Sequence, residues 1–167
     1  AHSFLDSVDR QRSSNAVISS AGTWSYEDIG GLAGAVSAYL ESLNVRRGER
    51  IGLLIPNSAE FIATFYGIHM AGCVVVALNL QEPAQVLARL LKHCGATVLF
   101  LDSAHRDNEL LTGLLEDSSL RIVNVEINQS LVAPELASDW AKIYQARSAD
   151  YRSHVVKTRS SDLAAIL

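Results

Sequence analysis

The chain has 167 residues, about the length of one domain, with little room for a second. With 49% apolar and 19% charged residues it can build a core without metals or disulfides, and its composition is not that of a disordered chain. The net charge of −4 argues against a general nucleic-acid binder, and no run of about 18 apolar residues offers a membrane span.

Phe4, Leu5 and Val8, set among Asp and Arg, predict a short amphipathic opening helix. Ala16 to Ser19 and Thr23 to Ser25 read as two strands joined by a turn at Ala21-Gly22. Ser25 then caps a helix, with Asp28 as the reciprocal partner of a capping box. Ile29, Leu32, Ala33, Val36, Leu40 and Leu43 give that helix one apolar stripe. Gly30 and Gly34 on it each cost up to about 1 kcal/mol relative to Ala, so a close neighbour is expected there.

Arg50 to Ile55 reads as a buried strand stopped by Pro56, and Asn57 with Glu60 marks the next helix start. From Ala59 to Met70 the segment is apolar on nearly every face, which predicts a central helix ended by Gly72. Cys73 to Leu78 is a second buried strand. Pro83 fits the first turn of a helix whose stripe is Val86, Leu87, Leu90, Leu91 and Cys94, closed by Gly95. Thr97 to Leu101 is a third buried strand, followed by a Leu-rich helix around Leu110 to Leu115 and a strand from Arg121 to Val125. The alternation predicts an α/β fold: an open, mostly parallel doubly wound sheet with helices on both faces, preceded by a short β-hairpin.

Beyond Ile127 the pattern loosens. Asp139 to Tyr144 reads as a short helix, and Ala146 to Ser161, with Arg147, Arg152, Lys157 and Arg159, as a solvated loop. Asp162 to Leu167 has the apolar start of a strand. The expected units are an α/β subdomain over 1–127, an irregular connecting segment over 128–161 and a strand start at 162–167.

Catalytic constellations are missing from this pattern. Cys73 and Cys94 form no C-x-x-C pair and are expected as small core residues in a reducing compartment. The N-terminal residues lack the basic-then-apolar order of a secretion signal, so a cytoplasmic setting is expected. No phosphate-loop motif or nucleophile elbow occurs, and Gly30 to Gly34 lies inside a helix rather than between strand and helix. His2, His69, His93, His105 and His154 never fall at the spacing of a helical metal pair; His69 reads as a core or boundary imidazole. The carboxylates are scattered singly, which leaves no acid/base pair to nominate. The residues therefore mark no catalytic, cofactor-binding or metal position.

Four segments, in order, carry a resemblance. Thr23-Trp24-Ser25-Tyr26-Glu27-Asp28-Ile29 resembles a T-[YW]-x-E-L signature, and Val45 to Ile51 resembles V-x-x-G-D-R-V. Ile55 to Phe61 is similar to L-x-N-S-x-E-F, and Met70 to Asn79 to A-G-A-x-x-V-P-L-N. These are patterns of the adenylate-forming enzymes, the superfamily of acyl-CoA synthetases, peptide-synthetase adenylation domains and firefly luciferase. The resemblance covers about residues 15 to 105 closely and the rest loosely. It singles out Trp24, Tyr26, Glu27, Asn57, Glu60, Gly72 and Asn79 as scaffold positions. Leu78-Asn79 is more similar to the acyl-CoA ligases than to the peptide synthetases. Ala77 departs from a typical Pro and Trp24 from a frequent Tyr; neither touches a reacting atom, and Trp24 is expected as a packing anchor.

The resemblance implies a parent enzyme that joins a carboxylate to AMP and passes the acyl group to a thiol. Its cofactors would be ATP and Mg²⁺, and its acceptor CoA or the phosphopantetheine of a carrier protein. Asp162 to Leu167 resembles the strand that runs into the family's phosphate loop, so that loop and the residues holding ATP are expected beyond Leu167. The chain is then expected to bind no cofactor and to be inactive alone, with the remainder of the enzyme as its partner. Whether such a cut is natural, proteolytic or experimental stays open. The alternative is a self-contained doubly wound binding or interaction module, without catalysis and without a large exposed apolar face.

Overall fold

The computed structural model of the chain describes residues 2–105, 119–127, 138–146, 150–156 and 164–166. The expected helix around Leu110 to Leu115, and Arg147, Lys157, Arg159, Asp162, Leu163 and Leu167, lie outside the described residues.

Helix α1 (His2–Arg10) is followed by a two-stranded antiparallel sheet, β1 (Asn15–Ser19) and β2 (Gly22–Ser25). Alternation along β1 turns Val17 to the core and leaves Ile18 73% exposed. Ser25 then caps α2 (Tyr26–Ser42) through a complete capping box: its side chain accepts from the Asp28 N–H, and the Asp28 carboxylate accepts from the Ser25 N–H.

The main sheet has five parallel strands in the order β6-β5-β3-β4-β7, formed by β3 (Arg50–Leu54), β4 (Val74–Ala77), β5 (Ala96–Asp102), β6 (Arg121–Val125) and β7 (Ala165–Ile166). Helix α3 (Ala59–Met70) connects β3 to β4, and α4 (Ala84–Cys94) crosses from β4 back to β5. Strand alternation divides the core. Ile51, Leu53, Val75, Val98, Phe100, Val123 and Val125 pack beneath α2, α3 and α5 (Asp139–Gln145). Leu54, Leu99 and Leu101 face α4, which meets them with Ala84, Leu87 and Leu91. Both faces are covered, as the unbroken apolar strands predicted.

Several details differ from the sequence reading. Ser58, rather than Asn57, caps α3 by accepting from the Phe61 N–H at 3.0 Å. Pro83 sits at the cap position and α4 begins after it at Ala84. Leu90 lies to the side of the stripe Ala84, Leu87 and Leu91 and is 41% exposed. Cys73 is buried as expected, whereas Cys94 at the end of α4 is only half-buried. Helix α3 is central through its contact with α2, but Phe61, Ile62, Phe65, Tyr66 and His69 are only half-covered. Phe4 of α1 stacks on Tyr66 with centroids 3.9 Å apart.

The largest difference is in the segment expected as a solvated loop. Tyr151 is 2% exposed and begins a short 3₁₀ turn (Tyr151–His154) laid across α2. Its backbone fits against Gly34, where a Cβ would come within 2.8 Å of the Tyr151 Cα. A Cβ on Gly30 would meet the Val8 side chain at 2.9 Å. Both glycines therefore serve the close contacts that their place in a helix led us to expect.

Candidate functional site

The parallel strands end along one edge of the sheet, and strand order reverses at β3, with β4 on one side and β5 on the other. Open α/β sheets bind ligands outside this carboxyl edge. Four polar residues follow or end the strands there. Asn57 is exposed after Pro56, and Asn79 is exposed after β4, its Oδ1 accepting from the Gln81 N–H at 3.0 Å to form a tight turn. Asp102 ends β5, is 7% exposed, and accepts from the Ala104 N–H at 3.2 Å. Asn124, near the end of β6, has a buried Oδ1 without a hydrogen-bond partner among the described residues. By strand alternation Asp102 shares the α3 face with Phe100, and Asn124 the α4 face with Ile122. Glu60 is 3% exposed in the first turn of α3, where the helix dipole favours a carboxylate.

The structure thus brings Asn57, Glu60 and Asn79 to one edge and places the other four scaffold positions elsewhere. Trp24 is half-buried on β2 opposite Val17 and packs against the main core. Tyr26 opens α2 and packs with Leu5, Val8, Met70 and Tyr151, while Glu27 pairs with Arg12 at 3.7 Å. Gly72 lies at the opposite, amino edge with φ +72°, a left-handed conformation that side chains resist. A Cβ there would also press on Arg47 and Val156 at 3.2 Å.

Among the described residues, burial shifts the titration of His69 and Cys73. His69 stacks edge-on against Phe65 at 4.6 Å, and burial lowers its pKa and favours the neutral ring. Burial and the nearby Glu49 push the Cys73 thiol up to about 11, the reverse of an activated nucleophile. Among the described residues, no three His, Cys, Asp or Glu side chains gather to hold a metal ion. This donor set does not fit a magnesium–triphosphate group. The edge offers hydrogen-bonding amides and buried carboxylates, suited to holding and orienting. Asp102 was missed in the sequence, although a carboxylate directly after the apolar run Thr97 to Leu101 was a readable sign of a strand's carboxyl end.

The sequence pattern of the AMP-binding enzymes matches residues 4–167. The chain belongs to the AMP-binding enzyme family. It is similar to the long-chain-fatty-acid–CoA ligase FadD13 of Mycobacterium tuberculosis, 34% identical over 74 residues, covering 44% of this chain and 15% of that protein. Nonribosomal peptide synthetase 7 of Gibberella zeae is 30% identical over 132 residues, 79% of this chain and 3% of that protein. The crystal structure of a benzoate CoA ligase from Burkholderia xenovorans superposes with a TM-score of 0.82 over 98% of this chain and 31% of that one. At 20% identity, that likeness is one of fold. The chain spans less than a quarter of the length of the curated relatives it matches. No helix among its described residues is long and apolar enough to cross a membrane.

Proposed function

We propose that this chain is the structural N-terminal part of an ATP-dependent ligase that activates a carboxylate as its acyl-adenylate. The observation that carries this reading is the family match over residues 4–167. One relative is named a long-chain-fatty-acid–CoA ligase and another a nonribosomal peptide synthetase, which supports a thiol acceptor, CoA or a carrier-protein phosphopantetheine. In the whole enzyme ATP and Mg²⁺ supply the activating chemistry, and preorganised donors around the phosphates stabilise the charge that develops there. We place those donors outside the described residues, which gather no metal-holding cluster.

On this reading, the seven motif positions build the scaffold. Trp24 and Tyr26 fill core space, Glu27 joins α2 to Arg12, and Gly72 lets the chain turn into β4. Asn57, Glu60 and Asn79 shape the carboxyl edge against the remainder of the enzyme. Two free thiols suit a reducing, cytoplasmic setting.

The test is ATP–pyrophosphate exchange with a set of aromatic, fatty and amino acids. The full-length protein is expected to catalyse exchange with at least one of them, and the isolated 167 residues with none. Exchange by the isolated chain would place catalysis within it, and no exchange by the full-length protein with any acid would remove the ligase reading.

A further inference from the structure

Helix α3 is apolar around nearly its whole circumference, yet only one side of it is fully covered. Its inner side, with Ala63, Gly67 and Ile68, is buried, Gly67 against Ala33 and Val36 of α2. Phe61, Ile62, Phe65, Tyr66 and His69 are only half-buried. With about 3.6 residues per turn, these five fall within one arc of about 140°. Their rings adjoin: centroids lie 6.3 Å apart for Phe61 and Phe65, and 5.5 Å apart for Phe65 and Tyr66. None of the five is Asp, Glu, Lys or Arg.

A helix that faces water keeps polar residues on its outer side, whereas a helix apolar all round is buried. On the other face of the sheet, α4 follows the first pattern: Gln85, Arg89, Lys92 and His93 are exposed beside a single Leu90. The outer side of α4 is therefore a finished surface, and the flank of α3 has the make-up of an interface core.

On the reading of the chain as part of a longer ligase, we propose that the α3 flank is the surface on which the remainder of the same polypeptide docks. The outer side of α4 stays in solvent. The fold shared with the benzoate CoA ligase takes up 31% of that ligase's chain, so most of that chain lies outside it. A body of that size, tethered in the same polypeptide, meets the flank without charges to steer it. An aromatic stripe without charged residues suits such a permanent partner, since obligate interfaces are the more apolar ones.

Hydroxyl-radical footprinting of the unaltered full-length protein tests the cover, because each flank residue has a buried counterpart of the same chemistry. Phe61 and Phe65 are expected to be oxidised as slowly as Phe100, which is 0% exposed, and Tyr66 as slowly as Tyr151, at 2%. Leu90, 41% exposed, is expected to be oxidised faster than Leu99, at 0%. Flank rings oxidised faster than their counterparts overturn the proposal, and so does a Leu90 as protected as Leu99. Photoreactive p-benzoylphenylalanine at position 65 of the full-length protein then reads what lies on the flank. The expected cross-link joins it, within one polypeptide, to a peptide outside the 167 residues. A cross-link within those residues, to a second copy or to another molecule overturns the proposal, as does the absence of any. Pyrophosphate exchange is a separate readout: exchange by a protein whose flank is freely oxidised would overturn the docking and leave the ligase reading standing.

Discussion

Gly67 of α3 lies against the carbonyl oxygen of Ala33 in α2, so close that a Cβ on Gly67 would stand 2.6 Å from it and from the Val36 Cβ. Backbone meets backbone here, and neither helix can yield by rotating a side chain. Gly67→Ala gains up to about 1 kcal/mol of helix propensity but forces the helices apart. A net loss of about 1–3 kcal/mol is expected, seen as a lower urea midpoint at unchanged slope. A midpoint at or above that of the parent would show that the crossing has slack.

Cys73 and Cys94 are expected to differ in reactivity. The Cys73 Sγ is buried 3.7 Å from the Arg46 carbonyl oxygen, and burial pushes its thiol up to about 11. Only the thiolate attacks, so Cys73 is protected at neutral pH by both access and ionisation. Cys94 is half-buried at the end of α4. Mass spectrometry after maleimide treatment should find one label, at Cys94, in the native chain and two in denaturant. Native labelling of Cys73 as fast as Cys94 would contradict its burial.

The contacts of the Asp9 carboxylate with the Tyr151 hydroxyl and the Arg152 guanidinium carry a pH dependence with a definite sign. The Arg152 guanidinium, then the Tyr151 hydroxyl, holds the Asp9 carboxyl below the ordinary range, with Arg12 adding to the effect. A lowered folded-state pKa means that the stabilisation is fully present above about 3.9, the unfolded value, and is lost as pH falls through the folded value. An NMR titration should place Asp9 below that unfolded value in the parent. In Arg152→Met its titration should move upward, and an unmoved midpoint would remove the guanidinium as the cause.

Local order was legible wherever cause and effect lie close in the sequence. Ser25 and Asp28 are three residues apart, so their capping box could be read directly. The glycine positions in α2 signalled a close neighbour without saying which. Tyr151 itself was hidden, because Asp150, Arg152 and Ser153 around it read as surface and its partner Asp9 lies 142 positions away. The scaffold positions were named one by one through the family resemblance. Their separation into a carboxyl edge, an amino edge, the hairpin and the start of α2 follows from the topology, which motif spacing does not encode.

The position of β7 outside β4 has a consequence for synthesis. Val75 leaves the ribosome about 90 residues before its neighbour Ala165. Strands β3, β4 and β5 can associate first, and throughout that interval the outer side of β4 lacks β7. A bare strand flank is a template for pairing with another nascent chain. By pairing with β4, Ala165 and Ile166 thus also guard that flank against misassembly.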